Sequence, residues 1–297
     1  MPSSEISANL DFGPLNDELA AIAQSQGEDP DKVCAIIQEF RDMIFEKGDF
    51  TPHRTDTEFL TKFLRARYWR VESSYNLLKN YYSFRRANKE LYEKVHPLDL
   101  KPVGDAGIVT VVPYKDQLGR RIIIYRFGNW IPSKIPSDDI FKASLLLLEV
   151  GALEPSVQVL GGVGIFDLSN LSLNHLLHLT PAVAQRMLAL VITSMPIRTN
   201  ALHIVHQNWA FNAAYSVFKP FLNAKIRERI FIHGSDMSSL HKHIFPENLP
   251  KRYGGIHEEY PYVMWIALTK NEKIKNELES LGYVVDTKDI NLEQYFT

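Results

Sequence analysis

The side chains of this chain that could do chemistry are mostly basic, and they cluster. Lys225, Arg227 and Arg229 fall at alternate positions of AKIRERI with only Glu228 against them, and Arg65 and Arg67 stand beside Tyr68, Trp69 and Arg70. Guanidinium and ammonium groups so grouped bind anions, arginine forks gripping phosphate bidentately, although a solvated basic turn reads the same way. Histidines come in pairs, His175/His178, His203/His206 and His241/His243, but neither cysteine nor a closely spaced carboxylate accompanies any of them. Ordinary strand and helix histidines are expected in place of a metal site. Asp167 closes the run GVGIFD, where an α/β enzyme would put an acid; with no partner nucleophile in view, it reads as a loop cap. The chain has no G-x-S-x-G, G-x-x-x-x-G-K-[ST] or G-x-G-x-x-G. Gly161, Gly162 and Gly164 precede a strand and so read as turn residues, not as a phosphate cradle. Neither catalysis nor a cofactor is expected.

The basic turn is positioned by an unusually apolar helix. From Trp209 to Leu222, Phe211, Tyr215, Phe218 and Leu222 form one stripe and Ala210, Ala213, Val217 and Phe221 a second, so the two merge into a broad face. Pro220 should kink or stop this helix. Apolar surface next to positive charge suits a lid that touches a membrane; a buried core helix before a solvated turn is the alternative. Upstream, helices starting near Asp29, at a Thr55 or Asp56 cap and at Val71 make residues 28–95 an all-helical subdomain behind a partly mobile 1–27. From about residue 105 the period changes. Runs at Ile108–Val112, Ile122–Tyr125, Val163–Asp167, Leu202–Val205 and Ile230–Ile232 alternate with helices at Asp138–Leu153 and Asn174–Thr193, the latter with Thr180-Pro181 inside it. That alternation predicts an α/β fold with a mostly parallel sheet, its first two strands antiparallel. Both helices are apolar around more of their circumference than one sheet face requires, so they either fill a three-layer core or line a ligand cavity. Residues 96–256 make this second domain, and 257–297 a tail with one helix around Ile274 to Leu281.

Composition narrows the partners. The 297 residues are 45% hydrophobic with a formal net charge of −2, which excludes a generally basic, nucleic-acid-coating protein. Cys34 is the single cysteine, and MPSSEISANLDF has neither part of a signal peptide. The longest apolar run, ASLLLLEVGAL, is about half of the ~20 residues that a membrane span needs. A cytosolic protein that meets membranes peripherally and transiently is expected.

Several linked stretches resemble a known family. FLRARYWRVESSYNLLKNYYSFR, LGRRIIIYRFGNW, GIFDLSNL, and FKPFLNAKIRERIFIHG followed by FPENLPKRYGG are similar, in order and over roughly residues 28 to 256, to the CRAL-TRIO lipid-transfer family, in the branch of α-tocopherol transfer protein and cellular retinaldehyde-binding protein. The resemblance implies a helical N-terminal subdomain, an α/β lipid-binding domain over residues 96–256 and a mobile gate helix at about His206 to Arg229. It also implies a carrier of one hydrophobic, isoprenoid-like lipid, such as tocopherol, a retinoid or a carotenoid. It places the pocket at Tyr125, Phe141, Ser144, Phe166, Leu171, Met187, Leu190, Val191 and Leu202, which Phe211 and Phe218 of the gate would complete. It places a phosphoinositide site at Arg67, Arg198, Lys225 and Arg229. Leu148 replaces a serine of that branch and Leu171 a tryptophan, so the pocket is more apolar and differently shaped. A phosphatidylinositol or phosphatidylcholine transfer protein and a cargo-free membrane-signalling module remain alternatives.

Overall fold

The computed structural model describes residues 10–260 and 262–285. Helices α1 (Asp17–Ser25), α2 (Val33–Lys47), α3 (Thr57–Ala66) and α4 (Val71–Ala87) lead the chain. Their apolar positions recur at helical spacing and meet in one core of Phe40, Ile44, Phe59, Leu60, Phe63 and Tyr81. Asp56 caps α3 by accepting from the Phe59 amide at 3.0 Å. Asp29 does not begin α2; it accepts from the Asp31 amide and pairs with Lys32 in a turn, so the helix starts at Val33. Helix α1, capped by Asn16, is an element the sequence reading did not place.

A short α5 (Lys101–Asp105) leads into a five-stranded sheet in the order β1 (Val109–Lys115), β2 (Arg121–Arg126), β3 (Gly162–Asp167), β4 (Thr199–Val205), β5 (Ile230–Gly234). The first pair is antiparallel and the rest parallel, as the alternation of elements predicts. Between β2 and β3 lie α6 (Ser137–Gly151) and α7 (Pro155–Leu160). Between β3 and β4 the expected single helix is two: Thr180 accepts from the Val183 amide and Pro181 takes the first turn, so α8 (Leu173–His178) ends and α9 (Pro181–Leu188) begins. A proline without an amide proton fits a helix start better than its interior. Helix α9 then widens into a π-type turn over Ala189–Ser194. The gate, α10 (Phe211–Phe218), stops before Pro220 and tightens over Lys219–Phe221 before α11 (Ala224–Arg227). Helix α12 (Met237–His241) follows β5, and α13 (Val263–Ala267) and α14 (Glu272–Ser280) close the described chain.

Strand β3 sets what each sheet face can hold. Val163 and Ile165 point into an aliphatic cluster with Ile122, Ala201, Leu240 and Leu249. Gly162, Gly164 and Phe166 alternate with them on the opposite face. Gly162 and Gly164 are therefore strand residues and not turn residues, which corrects the sequence reading. A Cβ on Gly164 would stand 3.0 Å from Leu202 and 3.2 Å from Phe166, so at this one position the face has little room for a side chain.

Buried ion pairs join the helical lead to the rest. Lys62 and Arg54 both meet Glu277 of α14 at 2.5 Å and Arg85 meets Glu149 of α6 at 3.0 Å; within the second domain Arg121 of β2 meets Glu154, just before α7, at 2.9 Å. Burial pushes the Glu277 carboxyl up, but Lys62 and Arg54 outweigh it and hold it below its ordinary value; Arg121 and Lys115 do the same for Glu154. A carboxylate lowered by folding contributes stability that is complete above its unfolded value, near ~4.3, and is lost as the pH falls. The melting temperature should therefore drop steeply below about pH 4.5 and less steeply in Glu277→Gln, which should cost about 3–5 kcal/mol at neutral pH by stranding Lys62. Thermal melts of both proteins across pH 7 to 3 check this (an illustrative range of about four units); parallel curves would remove Glu277 from the account.

Candidate lipid cavity and basic cleft

On the Phe166 face of the sheet the covering helices stand off and enclose a cavity of about 200 Å³ whose exposed lining is almost wholly apolar. Tyr125, Phe166 and Leu202 form its floor; Phe141 and Ser144 enter from α6, Leu171 from the loop after β3, Met187, Leu190 and Val191 from α9 and the turn after it, and Phe211 and Phe218 from α10. All eleven residues proposed from the sequence thus border one space. Leu148 does not; it faces a smaller cavity behind. The wall also takes residues that sequence reasoning did not single out, among them Trp130, Leu176, Leu179 and Ile204. Leu176 and Leu179 lay within the apolar excess of the 174–193 stretch; Trp130, in an irregular segment, left no periodic signal.

Polar atoms at the cavity are few. The Tyr125 hydroxyl is buried without a hydrogen-bond partner among the described residues, and burial pushes it up to about 12 despite Ser144 beside it. The Ser144 hydroxyl donates back to the Ile140 carbonyl at 2.7 Å. His175 accepts at Nδ1 from the Ser172 amide at 3.0 Å, so Nε2 carries the proton and donates to the Trp130 carbonyl at 2.8 Å. It ties α8 to the loop after β2 rather than facing a ligand with a free nitrogen.

The basic residues meet at the far end of β4. Arg198 is buried; its Nη1 donates to the Arg65 carbonyl at 2.6 Å, its Nη2 to the Gln26 side chain at 2.9 Å, and Tyr68 lies 4.5 Å beneath it. Tyr68 and Trp69 both adopt φ of 56°, a left-handed backbone that non-glycine residues rarely hold. Burial, then Arg229 and Arg198 nearby, lower the Arg67 guanidinium, so these three cations share one neighbourhood. Lys225 is exposed on α11, and no hydrogen bond joins it to them. Among the described residues none of the four pairs with a carboxylate, whereas Arg65 is taken by Glu28 at 2.6 Å.

Residues 105–255 match the CRAL/TRIO domain. The chain is 34% identical to rat clavesin-1 over 259 residues (86% of this chain and 73% of that protein). It is 33% identical to human clavesin-2 over 269 residues (90% and 81%), and 34% identical to mouse α-tocopherol transfer protein-like over 255 residues (86% and 74%). This chain belongs to the CRAL-TRIO family. It is thereby a member of a lipid-binding and lipid-transfer family.

The gate of this CRAL-TRIO chain hangs from a polar hinge. Asp167, fully buried at the end of β3, accepts from the Ser169 amide at 2.9 Å, from His206 Nδ1 at 3.0 Å and from the Tyr253 hydroxyl at 3.0 Å. Burial pushes its carboxyl up, but the bonds from Ser169 and His206 outweigh it and hold it below the usual value. His206 sits at φ 52°, and Asn208 then donates to the Leu171 carbonyl at 2.9 Å while capping Ala210. Asp167 is therefore the loop cap expected from sequence, extended into a clamp on the first residues of the gate. The other histidines are also engaged: His203 with His233 at 3.0 Å and His241 with the Tyr253 carbonyl at 2.8 Å. Asp167→Asn should accelerate amide exchange from His206 through Ala214 and cost about 1–3 kcal/mol of stability; hydrogen-exchange mass spectrometry reads both, and unchanged exchange in that segment would refute the clamp.

Proposed function

We propose that this protein carries one hydrophobic, isoprenoid-like lipid and transfers it between membranes, docking on phosphoinositides through its basic cleft. It works as a carrier and not as a catalyst. The observation that supports this most is the apolar cavity of about 200 Å³ roofed by α10, a void that an ordinary three-layer core would have filled. At about 0.8 kcal/mol per buried CH₂, a lipid of roughly twenty carbons faces on the order of 16 kcal/mol on entering water. A cavity matching the bilayer interior removes most of that barrier, provided the gate opens at the membrane. Leu173 (65% exposed), Leu177 (79%) and Trp209 (65%) stand at the outer ends of α8 and the gate, next to the cavity wall; an apolar set of this kind supports insertion beside the opening. The cations of the cleft, lacking carboxylate partners, support the phosphoinositide reading, since each basic residue near an anionic surface contributes about 1 kcal/mol. The relative called α-tocopherol transfer protein-like supports a tocopherol-sized cargo. The cleft would sit at the membrane of a peripherally associated, cytosolic protein.

Mass spectrometry of organic extracts should find about one apolar molecule per chain. Met187→Glu should empty the protein while leaving its melting curve cooperative; full loading of that variant would refute the cavity reading. Leu190 is a poorer site for this test, because it is buried in the main core as well as at the cavity. The exposed pair Lys225→Glu and Arg229→Glu should weaken binding to phosphoinositide vesicles about a hundredfold or more in low salt, with cargo affinity in solution unchanged. Cargo binding lost together with docking would favour a phospholipid held inside by the same residues.

A further inference from the structure

Behind the main cavity lies a second one, of about 60 Å³, and the two share Tyr125, Phe166, Val191 and Leu202. Its lining includes Gly162 and Gly164 of β3, where a Cβ would press on Arg121 or on Leu202 and Phe166, and Leu148 of α6. Leu10 and Trp265 border it, one from each end of the described chain. At roughly 12 Å³ per water-sized group it adds space for about five methylene-sized groups to about sixteen in the main cavity.

Its lining residues that carry polar side-chain atoms are Arg121, Arg198, Thr199, Tyr125, whose hydroxyl has no partner among the described residues, and Trp265, whose indole N–H donates to the Val111 carbonyl at 2.6 Å. Arg121 is satisfied by Glu154, at 2.9 and 3.1 Å, and by the Pro113 carbonyl. The Thr199 hydroxyl donates to the Val191 carbonyl at 2.6 Å. Arg198 differs: it is only 7% exposed, its Nε is buried without a partner, and no carboxylate pairs with it among the described residues. Its Nη1 and Nη2 donate to the Arg65 carbonyl and the Gln26 side chain, but no negative charge offsets the buried guanidinium, a costly arrangement that an anion beside it would relieve most directly. Its planar N–H donors suit a carboxylate better than a hydroxyl.

We propose that the two cavities form one site for a long-chain lipid carboxylate, the acid end lying in the rear compartment against Arg198 and the chain running past Tyr125 and Phe166 toward the gate. This rests on the carrier reading above and narrows its cargo from apolar lipids in general to those ending in an acid. Arg198 then serves the cargo from within, and the cleft proposed above keeps Arg67, Lys225 and Arg229 for the membrane.

The test is a fluorescence-displacement titration without vesicles, so that membrane docking does not enter. Carboxylic acids and the matching primary alcohols, from about 12 to about 22 carbons as the combined volume suggests, are titrated against the wild type, Arg198→Met, Arg198→Lys, Leu148→Phe and Gly164→Ala. The wild type should bind acids at least tenfold more tightly than alcohols of equal length. Arg198→Met should erase that preference by weakening acids alone, and Arg198→Lys should keep part of it. Leu148→Phe and Gly164→Ala, which fill the rear compartment from opposite sides, should shift the best chain length shorter by several carbons. Acids and alcohols binding alike in the wild type, an equal loss of both in Arg198→Met with a normal melting temperature, or an unmoved length optimum in both filling variants would each overturn the proposal. Failure of every acid and alcohol to bind would count against the carrier reading as well.

Discussion

A sheet face that is deliberately under-filled is the constraint on which the rest of the structure depends. Interiors pack at crystal-like density, and an apolar void is tolerated only where the surrounding walls cannot collapse into it. Here the floor is held by parallel ladders from β2 to β5 and backed on its other side by the apolar cluster around Val163 and Ile165. The roof is held off by α6 and α9, and each is pinned outside the cavity: Glu149 of α6 by Arg85 and Tyr81, Arg186 of α9 by Asp138 and Glu90. Charges placed behind the helices keep the apolar space between them open.

The same currency divides the cations into two kinds. Lys62, Arg85, Arg121 and Arg126 each meet a carboxylate and serve as struts between segments far apart in sequence. Among the described residues, Arg67, Arg198 and Arg229 gather with carbonyl, amide and ring partners and no carboxylate. A folded chain that pairs its buried cations so consistently elsewhere leaves this one group with unmet demand for negative charge. That demand, more than the net charge of −2, defines where an anion is wanted.

The gate joins these two features. It leaves β4 through the His206–Asp167 clamp, crosses the cavity mouth as α10, breaks at Pro220 and re-enters the sheet as β5 beside Arg229. Its apolar face covers the cavity and its exit carries the basic turn. A displacement of α10 is therefore felt at both, through backbone that is continuous and only about two dozen residues long.

The sequence by itself determined a good deal of this. Alternation of β-branched runs with helices was enough for an α/β sheet with an antiparallel first pair, because hydrophobic period and connection length act locally. The apolar excess of residues 138–153 and 174–193 left a three-layer core and a cavity as alternatives, and the ordered CRAL-TRIO motifs told which side chains to look for around a cavity. Tertiary structure alone decided the rest. Gly162 and Gly164 read as punctuation until their strand register showed them to be floor. Thr180-Pro181 read as a blemish inside one helix, although a cap and a first-turn proline together start another. The partner of Arg198 was undetermined, because whether a cation is paired depends on carboxylates brought near by folding and not on its neighbours in the chain. Periodicity records which face a residue occupies; only the packed fold records what that face meets.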